Sequence, residues 1–168
     1  MKKYTLLVLT LFTSAISFGQ SIRLDPTSNK YQSTGIIYVD SIKKDDLFLR
    51  AKHWAVLNYR SANDVIQLAD KESSKIILKG NYATTMFMKG CWLEHTLILD
   101  FKDGKIRYTY NDFGYSDSNS RSLPFEGDGL MFKKKIIKRT EDHMIASVEN
   151  LKNYLLNNSK NSDSDNNW

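Results

Sequence analysis

The sequence predicts an α+β fold in two layers: a mostly antiparallel five-stranded sheet with two helices on one face, in the order β-α-β-β-β-β-α. Three observations carry that expectation. Residues 96–110, TLILDFKDGKIRYTY, alternate apolar and polar on either side of Asp103-Gly104, as a hairpin with one apolar face does. Two segments, about 42–60 and 141–156, repeat apolar residues at helical spacing. A sheet with one dry face needs cover, and two amphipathic helices, each with one apolar stripe, supply it.

The first nineteen residues have the layout of a secretory signal peptide: Lys2 and Lys3, an apolar run YTLLVLTLF, then Ser17-Phe18-Gly19 with small residues at the cleavage positions. The run is shorter than the roughly 20 residues a membrane span needs. Cleavage after Gly19 leaves Gln20 first, with no cysteine nearby to carry a lipid, so the expected product is soluble, exported and not lipid-anchored, in the periplasm or outside the cell. Without Lys2 and Lys3 the 24 basic residues fall to 22 against 19 acidic, a net charge of +3. That mild excess by itself implies no nucleic-acid or membrane partner. The remaining chain suits one domain with a real core. Cys91 is the one cysteine, which excludes an internal disulfide.

Residues 20–30 read as a polar N-terminal arm and 31–157 as a single domain. Strands are expected at 31–40, 65–69 and 75–82, with 84–90 unassigned. Ser41 stands where an N-cap belongs, with Asp45 and Asp46 in the early turns of the first helix. Asp103-Gly104 suits a type I′ turn. Phe101 then faces Ile106, Leu99 faces Tyr108 and Leu97 faces Tyr110 on one side, while Asp100 faces Arg107 on the other. A slip of one residue would invert every side chain. Residues 113–139 read as an irregular insert. Thr140 is the expected cap of the second helix, in which Met144, Val148, Leu151 and Leu155 share a stripe. The tail at 158–168 is polar enough to be disordered.

Three stretches, GIIYVDSIKKDDLFLRAKHWAVLNY, VIQLADKESSKIILKG and LILDFKDGKIRYTYNDF, resemble in order and spacing a domain family of unknown function with a TATA-box-binding-protein-like (TBP-like) fold, found in exported proteins of Bacteroidota. The resemblance covers about residues 31–112 and, more loosely, the last helix. It implies a fold and an exported location but no catalytic residues. It does not imply DNA binding: the outer face of the hairpin lacks the basic, wedge-bearing character of a minor-groove surface, and fold analogy does not transfer function.

No constellation points to catalysis, a cofactor or a metal. Cys91 shares strand parity with Leu93 and Leu97 and reads as a core thiol. His95 lies on the same face, but four residues along a strand is about 13 Å, too far for a dyad. His53 and His143 stand elsewhere, without metal-ligand spacing. Asp100 and Asp103 lack the alternation and distal Glu of a calcium loop, and neither a phosphate loop nor a nucleophile elbow is present. Asp40-Ser41-Ile42 resembles a short O-glycosylation motif, against which helix capping competes directly.

Two features are left as candidate binding surface. Lys133, Lys134, Lys135, Lys138 and Arg139 form the densest charge run, suited to a solvated linker or to an acidic envelope polymer or lipid headgroup. Trp92, Tyr115 and Phe125, with Trp168, are aromatics that strand parity leaves unplaced and that suit the rim of a site between sheet and insert. The expected function is therefore a non-enzymatic binding or interaction module of the cell envelope, partnered by an envelope protein or acidic polymer. The competing expectation is a carrier of a small apolar ligand held between sheet and helices, with 113–139 as its lid.

Overall fold

The computed structural model describes residues 21–59, 61–118 and 121–157; the expected leader at 1–19 and tail at 158–168 lie outside the described residues. In chain order the elements are β1 (Arg23–Asp25), β2 (Lys30–Tyr38), α1 (Lys44–Asn58), α2 (Ala62–Val65), β3 (Ile66–Asp70), β4 (Lys75–Met86), β5 (Lys89–Lys102), β6 (Lys105–Asp117), β7 (Leu123–Pro124) and α3 (Lys133–Asn157). All pairings are antiparallel, in the order β1-β2-β6-β5-β4-β3, with β7 added to β6. The sheet thus has seven strands rather than five. The two extra ones are short, and neither their three residues RLD nor Leu123-Pro124 carries a strand pattern. The polar arm is likewise partly structured. Asp25 accepts from the Ser28 N–H at 3.0 Å and from its hydroxyl at 2.6 Å, so the chain turns back and β1 pairs with β2.

The expected hairpin register holds. Phe101 pairs with Ile106, Leu99 with Tyr108 and Leu97 with Tyr110. All six are at most 4% exposed, under the two long helices. On the solvent side Asp100 accepts from Arg107 Nη2 at 2.9 Å. Each cross-strand pair contributes roughly 0.2–1 kcal/mol, and burying each large apolar side chain roughly 1.5–3 kcal/mol, so burial is the larger force setting the register. The register shifts only between Glu94 and Thr96, where Asp112 takes φ +48°. That bulge lets β6 carry one more residue than β5 and turns the Asp112 carboxylate outward to Lys30 at 2.7 Å.

The turn itself departs from type I′. Gly104 has φ +73°, but Asp103 is not among the residues with positive φ. The cause is tertiary. Gly104 donates its N–H to Ile42 and accepts from the Val39 N–H, both at 2.9 Å. Asp103 Oδ1 accepts the Lys44 N–H at 2.8 Å. Asp103 therefore caps α1 from across the fold. Ser41 does not: it has φ +70°, and the N-cap residue, Lys43, makes no side-chain cap bond. A buried stripe of Leu47, Phe48, Ala51, Trp54 and Ala55 then seats α1 on the sheet. Trp54 Nε1 donates to Asn150 Oδ1 at 2.7 Å and ties it to α3.

About half of the expected irregular stretch 113–139 is strand or helix. β6 runs on to Asp117, and α3 begins at Lys133, not at 141. Thr140 is no cap: it is buried inside the helix, donating its hydroxyl to the Ile136 carbonyl at 2.9 Å. Ile136 and Thr140 continue the stripe of Met144 and Val148 backwards at four-residue spacing. Between β6 and α3, Phe125 is fully buried, stacked on Phe113 with ring centroids 5.4 Å apart, and pins the connection into the core.

Candidate functional site

At the far end of β4 and β5 from Asp103, the chain reverses through Phe87 and Met88. Met86 pairs with Lys89, so the loop has two residues, and both have positive φ, +53° and +61°. This is the backbone of a type I′ turn, which favours Asn-Gly. Each apolar residue held in the left-handed region costs roughly 1–2 kcal/mol. Phe132, just before α3, has φ +55°.

These strained positions lie together. The rings of Phe87 and Phe132 are 5.0 Å apart, and Lys135 Nζ sits 5.1 Å from the Phe87 ring centroid. The cluster faces solvent: Met88 is 99% exposed, Met131 74%, Phe132 63% and Phe87 41%. Isolated exposed apolar residues are ordinary, but four large ones converging from two chain segments are a patch. On one flank a groove of about 310 Å³ runs between Phe87, Tyr115, Leu123, Leu130 and Phe132. On the other, one of about 300 Å³ is lined by Phe87, Lys135, Lys138, Arg139 and Asp142.

The basic run surrounds this tip because α3 starts earlier than expected. Lys133, Lys134, Lys135, Lys138 and Arg139 occupy its first two turns, with Lys89 across on β5. Lys138 bonds Asp142 at 2.7 Å, which raises the lysine and lowers the carboxyl from their usual ranges. Lys133, Lys134 and Arg139 form no ion pair among the described residues. Asp117 and Asp142 are the carboxylates that line the two grooves, against Lys89, Lys135, Lys138 and Arg139, so cations predominate.

The aromatics do not form one rim. Tyr115 is nearly buried on the inner face and lines the first groove. Phe125 belongs to the core. Trp92 is half-exposed on the opposite sheet face, beside Tyr59, Lys79 and Asn81 in a separate groove of about 560 Å³. Trp168 lies outside the described residues. Sequence reasoning missed Phe87, Met88 and Met131. A signal existed, since Met-Phe-Met precedes Lys89 and Met131-Phe132 precedes three lysines. That the two meet depends on the fold.

Farther in, His95 is buried, stacked on Tyr82 at 4.2 Å, with Nε2 3.4 Å from the Tyr59 hydroxyl. Burial lowers its pKa to about 4, so it is neutral near pH 7. Tyr82, Tyr110 and Ser147 link by hydroxyl contacts of 3.2 and 3.3 Å, and burial raises both tyrosines. Asp112 faces outward to Lys30. Cys91 is buried, and desolvation pushes its thiol up, away from a reactive thiolate. Among the described residues no group of three metal-ligating side chains gathers, and no helix is long and apolar enough to cross a membrane.

A single antiparallel sheet with both long helices on one face defines a TBP-like α+β protein. Residues 34–116 match the family described as "Domain of unknown function (DUF4468) with TBP-like fold", and the chain carries a domain of that family. Two crystal structures share the fold. A DUF4468 family protein from Bacteroides ovatus matches with TM-score 0.64 and 9% identity, over 83% of this chain and 92% of that one. A TBP-like protein from Parabacteroides distasonis matches with TM-score 0.57 and 13% identity, over 74% and 94%. No curated protein matches the sequence.

Proposed function

We propose that the protein is an exported, non-enzymatic binding module of the cell envelope, and that its working surface is the Phe87–Phe132 tip with its collar of cations. The supporting observation is the conjunction at one place of four solvent-facing apolar side chains, three left-handed non-glycine residues and a predominantly basic rim. Strain of this kind persists only where the surrounding structure holds it, and it clusters at functional sites. The leader at 1–19 supports export. An acidic envelope component suits the collar.

The ligand-carrier reading has less support. Trp54, Leu97, Leu99, Tyr110 and Met144 fill the space between sheet and helices. An opening of about 260 Å³ beside them is lined by aromatic rings, His143 and amide and hydroxyl groups rather than by aliphatic side chains. The test is retention of the exported chain on acidic envelope material from its host. Replacing Lys133, Lys134, Lys135, Lys138 and Arg139 by glutamine is expected to abolish retention; unchanged retention overturns the reading. Mass measurement of the exported product, expected to begin at Gln20, tests the leader.

A further inference from the structure

We propose that the tip is a bilayer-insertion device: Phe87, Met88, Met131 and Phe132 enter the boundary between headgroups and acyl chains of an anionic membrane, while the cations behind them hold lipid phosphates. The proposal rests on the reading of this tip as the working surface and adds what it binds.

The shape of the tip separates a bilayer from other acidic partners. Met88 is 99% exposed and Met131 74%, so the apolar side chains protrude rather than line a pocket. A hydrated polyanion offers them nothing apolar. A protein would need a matching cavity, whereas the interfacial zone of a bilayer accommodates protruding aromatic and thioether side chains of any detailed shape. The charges complete the match. The collar lies on the first two turns of α3 and on Lys89 beside the turn, behind the apolar apex, where phosphates lie when the apex is immersed. Long lysine stems keep their ammonium groups at that level. Lys138 is shared with Asp142, so the grip falls mainly to Lys133, Lys134, Lys135 and Arg139.

Rigidity supports the same assignment. A two-residue turn between paired Met86 and Lys89 leaves Phe87 and Met88 little freedom to fold back onto the protein. Lys135 over the Phe87 ring fixes that ring against α3. The apex is thus held outward before any membrane is met, which lowers the ordering cost of insertion.

The test uses the full exported chain with vesicles of about one phosphatidylglycerol to three phosphatidylethanolamines, with phosphatidylcholine vesicles and with soluble alginate. Co-sedimentation with the anionic vesicles, weakening as salt rises, is expected. Each removed cation should weaken it about five-fold. The double variant Phe87→Asn/Met88→Gly should lose at least about ten-fold while keeping its circular dichroism, because Asn-Gly suits the turn. A Met131→Trp variant should be quenched by lipids brominated near the top of the acyl chain. Vesicle binding without that quenching, or unaltered in the double variant, overturns the proposal. Retention by alginate but not by vesicles overturns insertion and leaves the acidic-surface reading standing; binding to neither overturns both.

Discussion

β5 runs between two turns that differ in almost every respect. At its C-terminal end Asp103-Gly104 has residues suited to a turn, and the fold uses each of them: Asp103 caps α1, and Gly104 bonds both Val39 and Ile42. The charges there are mutually satisfied, Asp100 bridging Arg107 and Lys75. At its N-terminal end Phe87-Met88 has residues poorly suited to a two-residue turn, held left-handed and turned to solvent, with cations gathered at a helix start. One end follows what stability asks of a hairpin and the other contradicts it. Local contradictions of this kind are expected where a surface is kept for something other than stability.

The largest expected effect bears on whether the two ends belong to one cooperative unit. His95 lies between them, with its pKa lowered to about 4 by burial. In the unfolded chain an imidazole titrates near ~6.5. Between these values the unfolded state binds more protons, so stability rises with pH across the window and is lost as pH falls through it. The difference corresponds to roughly 3 kcal/mol lost by about pH 4. His143, also lowered by desolvation, acts in the same direction. Asp25, Asp70 and Asp142 are lowered from 3.8, so their stabilisation is lost mainly in more acid solution. Urea unfolding at pH 7 and pH 4.5 should show the loss, and His95→Phe should remove most of it. Amide exchange at both turns should accelerate together; acceleration at only one would divide the sheet into independent parts.

The next effect breaks the clamped end. Gly104→Val places a β-branched residue at φ +73°, and should cost about 2 kcal/mol. Asp103→Ala removes the acceptor of the Lys44 N–H and should cost about 1 kcal/mol. Thermal unfolding measures both. A Ser41→Ala change should leave stability nearly untouched, since Ser41 is not the cap, and a loss comparable to that of Asp103→Ala would contradict the assignment.

How much of this was legible in the sequence follows from range. Alternation across 96–110 identified the buried face and the register because both are properties of neighbouring strands. The stripe from Leu47 to Ala55 likewise announced α1. The cap of α1 was not legible, because its acceptor, Asp103, lies 59 residues away from Lys44. The start of α3 was hidden because three lysines read as solvated chain, although Ile136 and Thr140 already extended its stripe. The candidate surface was half legible. Lys133 to Arg139 stood out as charge, but their meaning depends on Phe87 and Met88, which only the fold brings beside Phe132. Phe125 misled for the opposite reason: flanked by turn residues, it is nevertheless a core side chain.

Repairing the strained end should work in the opposite direction from damaging the clamped one. Phe87→Asn/Met88→Gly replaces two left-handed apolar residues by those a type I′ turn prefers. A gain of about 1–2 kcal/mol is expected, less whatever the contact between Phe87 and Phe132 contributes. A clear loss of stability would mean that the tip is structural, and the contrast between the two turns would disappear.

The smallest expected effect tests the collar by the same logic. The first turn of α3 has no acidic residue and instead carries Lys133, Lys134 and Lys135, against the sign of the helix dipole. Cations there are unfavourable by a few tenths of a kcal/mol each at low ionic strength. Replacing Lys133 and Lys134 by glutamine should therefore leave stability in thermal unfolding unchanged or slightly higher, by about 0.5 kcal/mol, and the gain should fade as salt is added. Lys135→Gln should gain less, because it also forfeits the contact with the Phe87 ring. If these changes instead destabilised the fold, the lysines would have a structural partner, and their position at this helix start would need no binding role to account for it.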